Sequence, residues 1–277
     1  MSQRSLNGFE RPLVLLYGLV AYAAFLFTIL YAIGFVGNLW AALGLEGSLY
    51  RSMDVPTAET SFTRALLVNV ALLALFAVQH SGMARKGFKD WSARIVPQAI
   101  ERSTFVLTAS VCLCLLFWYW QPIGTAVLWD VSTGRAGAVL TALSIVGWAI
   151  VFMSTFMIDH FELFGLRQVW YAFRAKGSPE LPFKTPGFYK VVRHPIYVGF
   201  IIAFWATPIM TLGHLLFAAT TTLYILGAIQ LEERDLVDRY SDLYRRYRER
   251  VRMLAPWPRH CETMPDSTTP ESFKPVR

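Results

Sequence analysis

The chain has 277 residues, of which 55% are hydrophobic and only 16% charged. A soluble domain of this length carries about 25% charge, so the composition excludes an ordinary soluble enzyme and points to one integral membrane domain. The net charge of +7 is not read as a nucleic-acid signature, because the basic residues lie between apolar runs or in the tail, where membrane topology accounts for them.

Taken in chain order, the first apolar run, about 12–36, is too long for a signal peptide and has no small-residue cleavage site after it, so it is read as an anchor. Further runs long enough to cross roughly 30 Å of hydrocarbon fall at about 64–80, 103–120 and 136–158. A fifth run, 195–230, is interrupted by Thr207-Pro208 and Gly213-His214. It is expected to form a helical hairpin with arms at about 195–210 and 214–231. The fold class is therefore all-α: four spans plus a C-terminal hairpin, five to six crossings, since helices satisfy every backbone group within the segment.

Lys and Arg alternate between connections. They concentrate in 81–102, in 159–194 and after 231, and are sparse in 37–63, in 121–135 and at the hairpin tip. The positive-inside rule then places both termini in the cytoplasm. From 231 to 252, Val237, Tyr240, Tyr244, Tyr247 and Val251 recur on one helical face, with Arg239, Arg245, Arg246, Arg248 and Arg250 around them. That pattern predicts a basic amphipathic helix lying on the membrane surface or over the domain. A single domain is expected over 1–257, followed by a flexible polar cytoplasmic tail over 258–277.

Cys112, Cys114 and Cys261 have neither metal-ligand spacing nor a disulfide framework, and no metal site is expected. The stretch Val191–Phe200, VVRHPIYVGF, is different. Pro195 suits the first turn of a helix, whose unpaired N–H groups favour an anionic ligand. Gly199 allows a ligand or a neighbouring helix to approach closely. If the hairpin folds back, Arg193, His194 and Tyr197 meet Glu232 and Glu233 at its other end. Backbone donors, a guanidinium, an imidazole, a phenol and carboxylates suit a zwitterionic ligand with hydroxyls. The blander reading is helix capping and interface anchoring.

Arg193-His194-Pro195-Ile196-Tyr197-Val198-Gly199, followed after the hairpin by Glu232-Glu233, resembles the C-terminal half of the isoprenylcysteine carboxyl methyltransferase and phospholipid methyltransferase superfamily. That resemblance, over about 186–257, implies an S-adenosyl-L-methionine site. His194, Tyr197 and Gly199, with Arg193 and Pro195, would form one wall and the two glutamates another. The segments around Gln79-His80-Ser81, Glu101-Arg102-Ser103 and Asp159-His160-Phe161-Glu162 resemble the NnrU-type branch. Over nearly its full length the chain is similar to bacterial enzymes of that branch that methylate methanethiol, a small volatile thiol, to dimethyl sulfide. The resemblance implies a multi-pass protein of the bacterial inner membrane, embedded in the lipid bilayer and with no obligate protein partner.

A thiolate nucleophile needs a base or a positive field at neutral pH. The catalytic candidates are His80 and His160 at the ends of two spans, Asp159 to orient an imidazole, and Arg167 to hold the cofactor carboxylate or a thiolate. Two alternatives stay open at this point. One is a methyltransferase for another thiol or a lipid. The other is a non-catalytic membrane protein linked to nitrogen-oxide metabolism.

Overall fold

The computed structural model describes residues 7–45, 47, 49–55, 60–123, 126–177, 179 and 182–257. The expected flexible tail lies outside the described residues. In chain order the elements are α1 (Glu10–Val36), α2 (Leu39–Ala42), α3 (Phe62–Ala84), α4 (Lys86–Ser92), α5 (Gln98–Tyr119), β1 (Val127–Asp130), α6 (Arg135–Ile158), α7 (His160–Leu163), α8 (Leu166–Phe173), α9 (Pro195–Trp205), β2 (Ile209–Thr211) and α10 (Leu212–Arg250). Among the described residues, α1, α3, α5, α6 and α10 are long and apolar enough to cross a bilayer. Large apolar side chains such as Leu67, Val139 and Leu223 stay exposed along these helices, a surface suited to lipid rather than water. The chain is a multi-pass helical membrane protein.

The hairpin departs from a purely helical reading. Its first arm, α9, has 11 residues, so it rises about 16 Å, roughly half the hydrocarbon thickness. Beyond Pro208 the chain is extended, and β2 pairs antiparallel with β1, Ile209 opposite Asp130 and Thr211 opposite Val127. This strand pair gives backbone partners to a segment that cannot remain helical. The second arm and the basic amphipathic helix are one element, α10, whose non-helical residue is Ser241 at φ 46° and ψ −121°. Beyond that break the helix folds back over the domain. Tyr240, Tyr244 and Tyr247 pack around Phe183, and Arg252 pairs with Val192.

Two kinds of contact set the architecture. Where α6 meets α9, glycine faces glycine. A Cβ on Gly199 would lie 2.6 Å from the Gly147 carbonyl oxygen, and one on Gly147 would lie 2.6 Å from the Ala203 nitrogen. Small residues let the two backbones meet, as is usual for helices in lipid. Ser144 also donates to the Ala203 carbonyl at 3.0 Å. At the hairpin-tip end the buried Asp54 carboxylate accepts from Asn38 at 2.6 Å and Thr211 at 2.5 Å, and meets His214 Nδ1 at 2.9 Å. This cluster ties the loop after α1 to the start of α10. Phe35, Leu116, Phe117, Trp120, Trp148 and Phe217 belong to the apolar core.

Replacing Gly147 with leucine forces α6 from α9. Overpacking of this kind costs about 1–3 kcal/mol, so a lower melting temperature in detergent is expected, whereas Gly227→Leu, at a position with open space around it, is expected to leave the melt unchanged.

Candidate functional site

The fold brings the two halves of the sequence motif together. His194 occupies the N-cap of α9 and Pro195 its first turn, while Glu232 and Glu233 lie near the middle of α10. Successive helical residues point about 100° apart, and the two carboxylates take largely different partners, with His194 between them, 3.1 Å from Glu233 and 3.8 Å from Glu232. Glu233 is 4% exposed. Its Oε1 accepts from Arg193 Nε at 2.7 Å and lies 3.1 Å from His194 Nε2, and Arg248 Nε reaches its Oε2 at 3.2 Å. Glu232 has a side chain 44% exposed. Its Oε2 accepts from the Tyr197 hydroxyl at 2.9 Å.

This division redistributes the roles expected of the motif. Arg193 and Glu233 form a buried pair that fastens α9 to α10. The Arg193 guanidinium also donates to the Val251 carbonyl at 2.7 Å. Just before α9, Arg193 N–H bonds the Arg252 carbonyl and His194 N–H the Met253 carbonyl, which ties the helix start to the returning chain. Pro195 is buried. Gly199 faces α6, so its close approach serves a helix rather than a ligand. Tyr197 and Glu232 are the members of the motif that combine ligand-type chemistry with exposure.

Across from them stands the end of α3. His80 Nδ1 lies 3.1 Å from the Tyr224 hydroxyl, which is 3.0 Å from Ser81 Oγ. Arg85 pairs with Asp235 at 3.3 Å, so α3 and α10 are joined on both sides of Glu232. Tyr224 and Tyr197 are electrostatic neighbours. Tyr224 is a candidate site residue that the sequence did not single out, its one signal being a phenol inside an apolar span. His80 Nε2 has no hydrogen-bond partner among the described residues.

His160 sits elsewhere, between α1 and α6. Its Nε2 is 2.8 Å from the Tyr22 hydroxyl and its Nδ1 2.9 Å from Thr155 Oγ1. The ring stacks on Phe156 at 4.1 Å. Burial pushes this imidazole below its ordinary value, against the opposing charge of Asp159, so the neutral form predominates at neutral pH. Thr155 and Tyr22, not Asp159, orient the ring. Asp159, at φ 148°, turns the chain out of α6; its side chain caps α7 through Glu162 N–H at 3.1 Å and forms an ion pair with Arg167. The carboxylate neutralises the Arg167 charge that would otherwise suit an anion.

Several buried polar atoms at this end have no partner among the described residues: Gln79 Oε1, Ser103 Oγ, Glu162 Oε2, Gln168 Oε1 and Tyr244 OH. Buried polar groups are ordinarily hydrogen-bonded, so Gln79 Oε1 beside His80, Ser103 Oγ, Glu162 Oε2 on α7 and Gln168 Oε1 on α8 are candidates to meet a polar ligand. Two apolar grooves lie away from it. One, of about 340 Å³, runs between α1 and α5 at Phe27, Cys114 and Trp118; the other, of about 650 Å³, lies at Trp129 and Val139.

Residues 72–251 match the family described as "Protein of unknown function (DUF1295)". Methanethiol S-methyltransferase 1 of Bradyrhizobium diazoefficiens is 53% identical over 244 residues, 88% of this chain and 82% of its own. Methanethiol S-methyltransferase of Mycobacterium tuberculosis is 52% identical over 249 residues, 90% and 98% of the two chains. Nurim of Xenopus laevis is 30% identical over 212 residues, 74% of each. No solved structure matches the chain.

The two glutamates are expected to separate by experiment. Glu233→Ala strands a buried guanidinium, which destabilises by about 3–5 kcal/mol, and the detergent melt should fall accordingly. Glu232→Ala should lower the melt far less, since the carboxylate is half-exposed.

Proposed function

Because the chain belongs to the methanethiol S-methyltransferase family, we propose that it methylates methanethiol to dimethyl sulfide, with S-adenosyl-L-methionine as the methyl donor. The observation that carries this reading is the Tyr197–Glu232 contact, its carboxylate side chain half-exposed, on the helix whose Tyr224 meets His80, together with the unpartnered buried polar atoms at this end.

The residues present fit such a donor. Glu232 Oε1 has no partner among the described residues, and a carboxylate oxygen suits a ribose hydroxyl or an ammonium. Gln79 Oε1, Glu162 Oε2 and Gln168 Oε1 are further acceptors without donors, matching a ligand rich in N–H and O–H groups. Held there, such a donor would supply an electrophilic methyl carbon on a cationic sulfur, open to attack by the thiolate with the sulfur keeping the electron pair of the bond it loses. Tyr197 holds Glu232 in place, and Arg193 and Glu233 fix α9 against α10 so that the wall stays rigid. His80, oriented by Tyr224, presents Nε2 to take the thiol proton. His160, Asp159 and Arg167 act from further out, by setting the turn between α6 and α8.

Attraction between thiolate and sulfonium strengthens in a water-poor site, so positioning and exclusion of water are the main contributions of the protein. A small apolar thiol dissolves in the bilayer, and the spans offer it a route without an aqueous channel. The Lys and Arg distribution supports an inner-membrane placement with both termini, and therefore the motif end, in the cytoplasm. Residues 1–257 act as one domain.

Purified protein given S-adenosyl-L-methionine and methanethiol is expected to release dimethyl sulfide, measured by headspace gas chromatography. Glu232→Gln should weaken donor binding at least tenfold in calorimetry. Donor-independent signal, or no signal from folded wild type, would overturn the reading.

A further inference from the structure

We propose that Arg102 is the residue that receives the anionic sulfur of the substrate. The inference rests on the thiol-methylation reading above, and begins from the other cations at this end, of which Lys86, Arg94 and Arg234 are simply exposed and others are engaged. Arg193 and Arg248 both meet Glu233, Arg167 meets Asp159, Arg85 meets Asp235, and Lys89 meets Glu101. Arg239 is exposed and lies over the Tyr240 ring. Arg102, half-buried in the first turns of α5, forms no hydrogen bond or ion pair among the described residues. It lies within electrostatic reach of His80 on α3 and of Glu162 on α7. A half-buried guanidinium left without an anion is a site in want of one.

Its surroundings suit a small anion. Ser103, the next residue, is wholly buried with its hydroxyl unpartnered, directly under Gly165. Glu162 Oε2 and Gln79 Oε1 are unpartnered as well. Burial pushes the Glu162 carboxyl above its ordinary value, while Arg167 and Arg102 pull the other way. The other titratable groups facing this place are Tyr224 from α10, Asp159 from the turn before α7, and the Lys89–Glu101 pair.

The chemistry needs such a charge. The thiolate, not the thiol, is the nucleophile, and a free thiol has a pKa of about 8.5 even in cysteine. Guanidinium stays charged at every working pH, so its field favours the ionised sulfur without titrating itself. On binding, the S–H bond breaks, the electron pair stays on sulfur facing Arg102, and the proton passes through His80 Nε2 to solvent.

The test needs no methyl transfer. Methanethiol is mixed with protein saturated with S-adenosyl-L-homocysteine, which has no methyl to give, in weak buffer at pH 7 with an indicator dye. Wild type should release close to one proton per thiol bound. R102Q should release less than a fifth of that, R102K most of it, and all three should bind S-adenosyl-L-homocysteine within twofold. In turnover, the R102Q defect in kcat/KM should be at least tenfold at pH 7 and should shrink as pH rises toward the thiol's own ionisation. Undiminished proton release in R102Q, or its loss in folded R102K, overturns the proposal. So does a tenfold loss of S-adenosyl-L-homocysteine affinity in R102Q, which would assign Arg102 to the cofactor's carboxylate instead. An active wild type with any of these outcomes removes only the role of Arg102; a folded wild type that makes no dimethyl sulfide removes the parent reading as well.

Discussion

The arrangement depends on one buried carboxylate. Glu233 gathers Arg193, His194 and Arg248, which come from the start of α9 and from the far side of the Ser241 break. Burying an ion pair is costly unless every remaining donor and acceptor is met. Here the guanidinium reaches two further carbonyl oxygens, those of Arg248 and Val251. The result is a knot that defines where α9 begins, where α10 passes it and where the chain returns. Glu232, one residue earlier and about 100° around the helix, is thereby turned outward beside Tyr197. The exposed acceptor exists because its neighbour is buried.

A second constraint works from the opposite end. The Asp54 cluster and the β1–β2 pair hold the hairpin tip, and Gly147 and Gly199 bring α6 and α9 into backbone contact. With the tip closed and α9 only 11 residues long, the apolar core runs through Phe35, Trp120 and Phe217 near that end. At the other end Gln79 Oε1, Arg85 Nε, Ser103 Oγ, Glu162 Oε2, Gln168 Oε1 and Tyr244 OH lack partners among the described residues. The Asp54 carboxylate is fully engaged, although Trp40 Nε1, Arg51 Nε and Trp120 Nε1 at that end also lack partners among the described residues.

Much of this was legible in residue order. Long apolar runs and sparse charge require a helical membrane protein, and the arginine–histidine–proline stretch with its two downstream glutamates marked the motif end. Less legible was the division of labour within it. Spacing shows that Glu232 and Glu233 diverge but not which one turns inward. Gly199 reads equally as room for a ligand or for a helix, and it is α6 that fills the space. Asp159 beside His160 invites a catalytic pair, yet the positive φ of Asp159 points its carboxylate at α7 and Arg167 while Tyr22, more than a hundred residues away, holds the imidazole.

The sequence by itself determined the solvent in which the chain folds, its four uninterrupted apolar runs and the chemical groups available at one end. Those follow from local hydropathy and from the reach of a helix, which are properties of neighbouring residues. Tertiary structure alone decided which charges neutralise one another, that Tyr224 bridges His80 and Ser81, and that Arg102 is left without an anion among the described residues. Pairings of that kind join side chains from separate helices, and their distances are set by helix packing rather than by position along the chain.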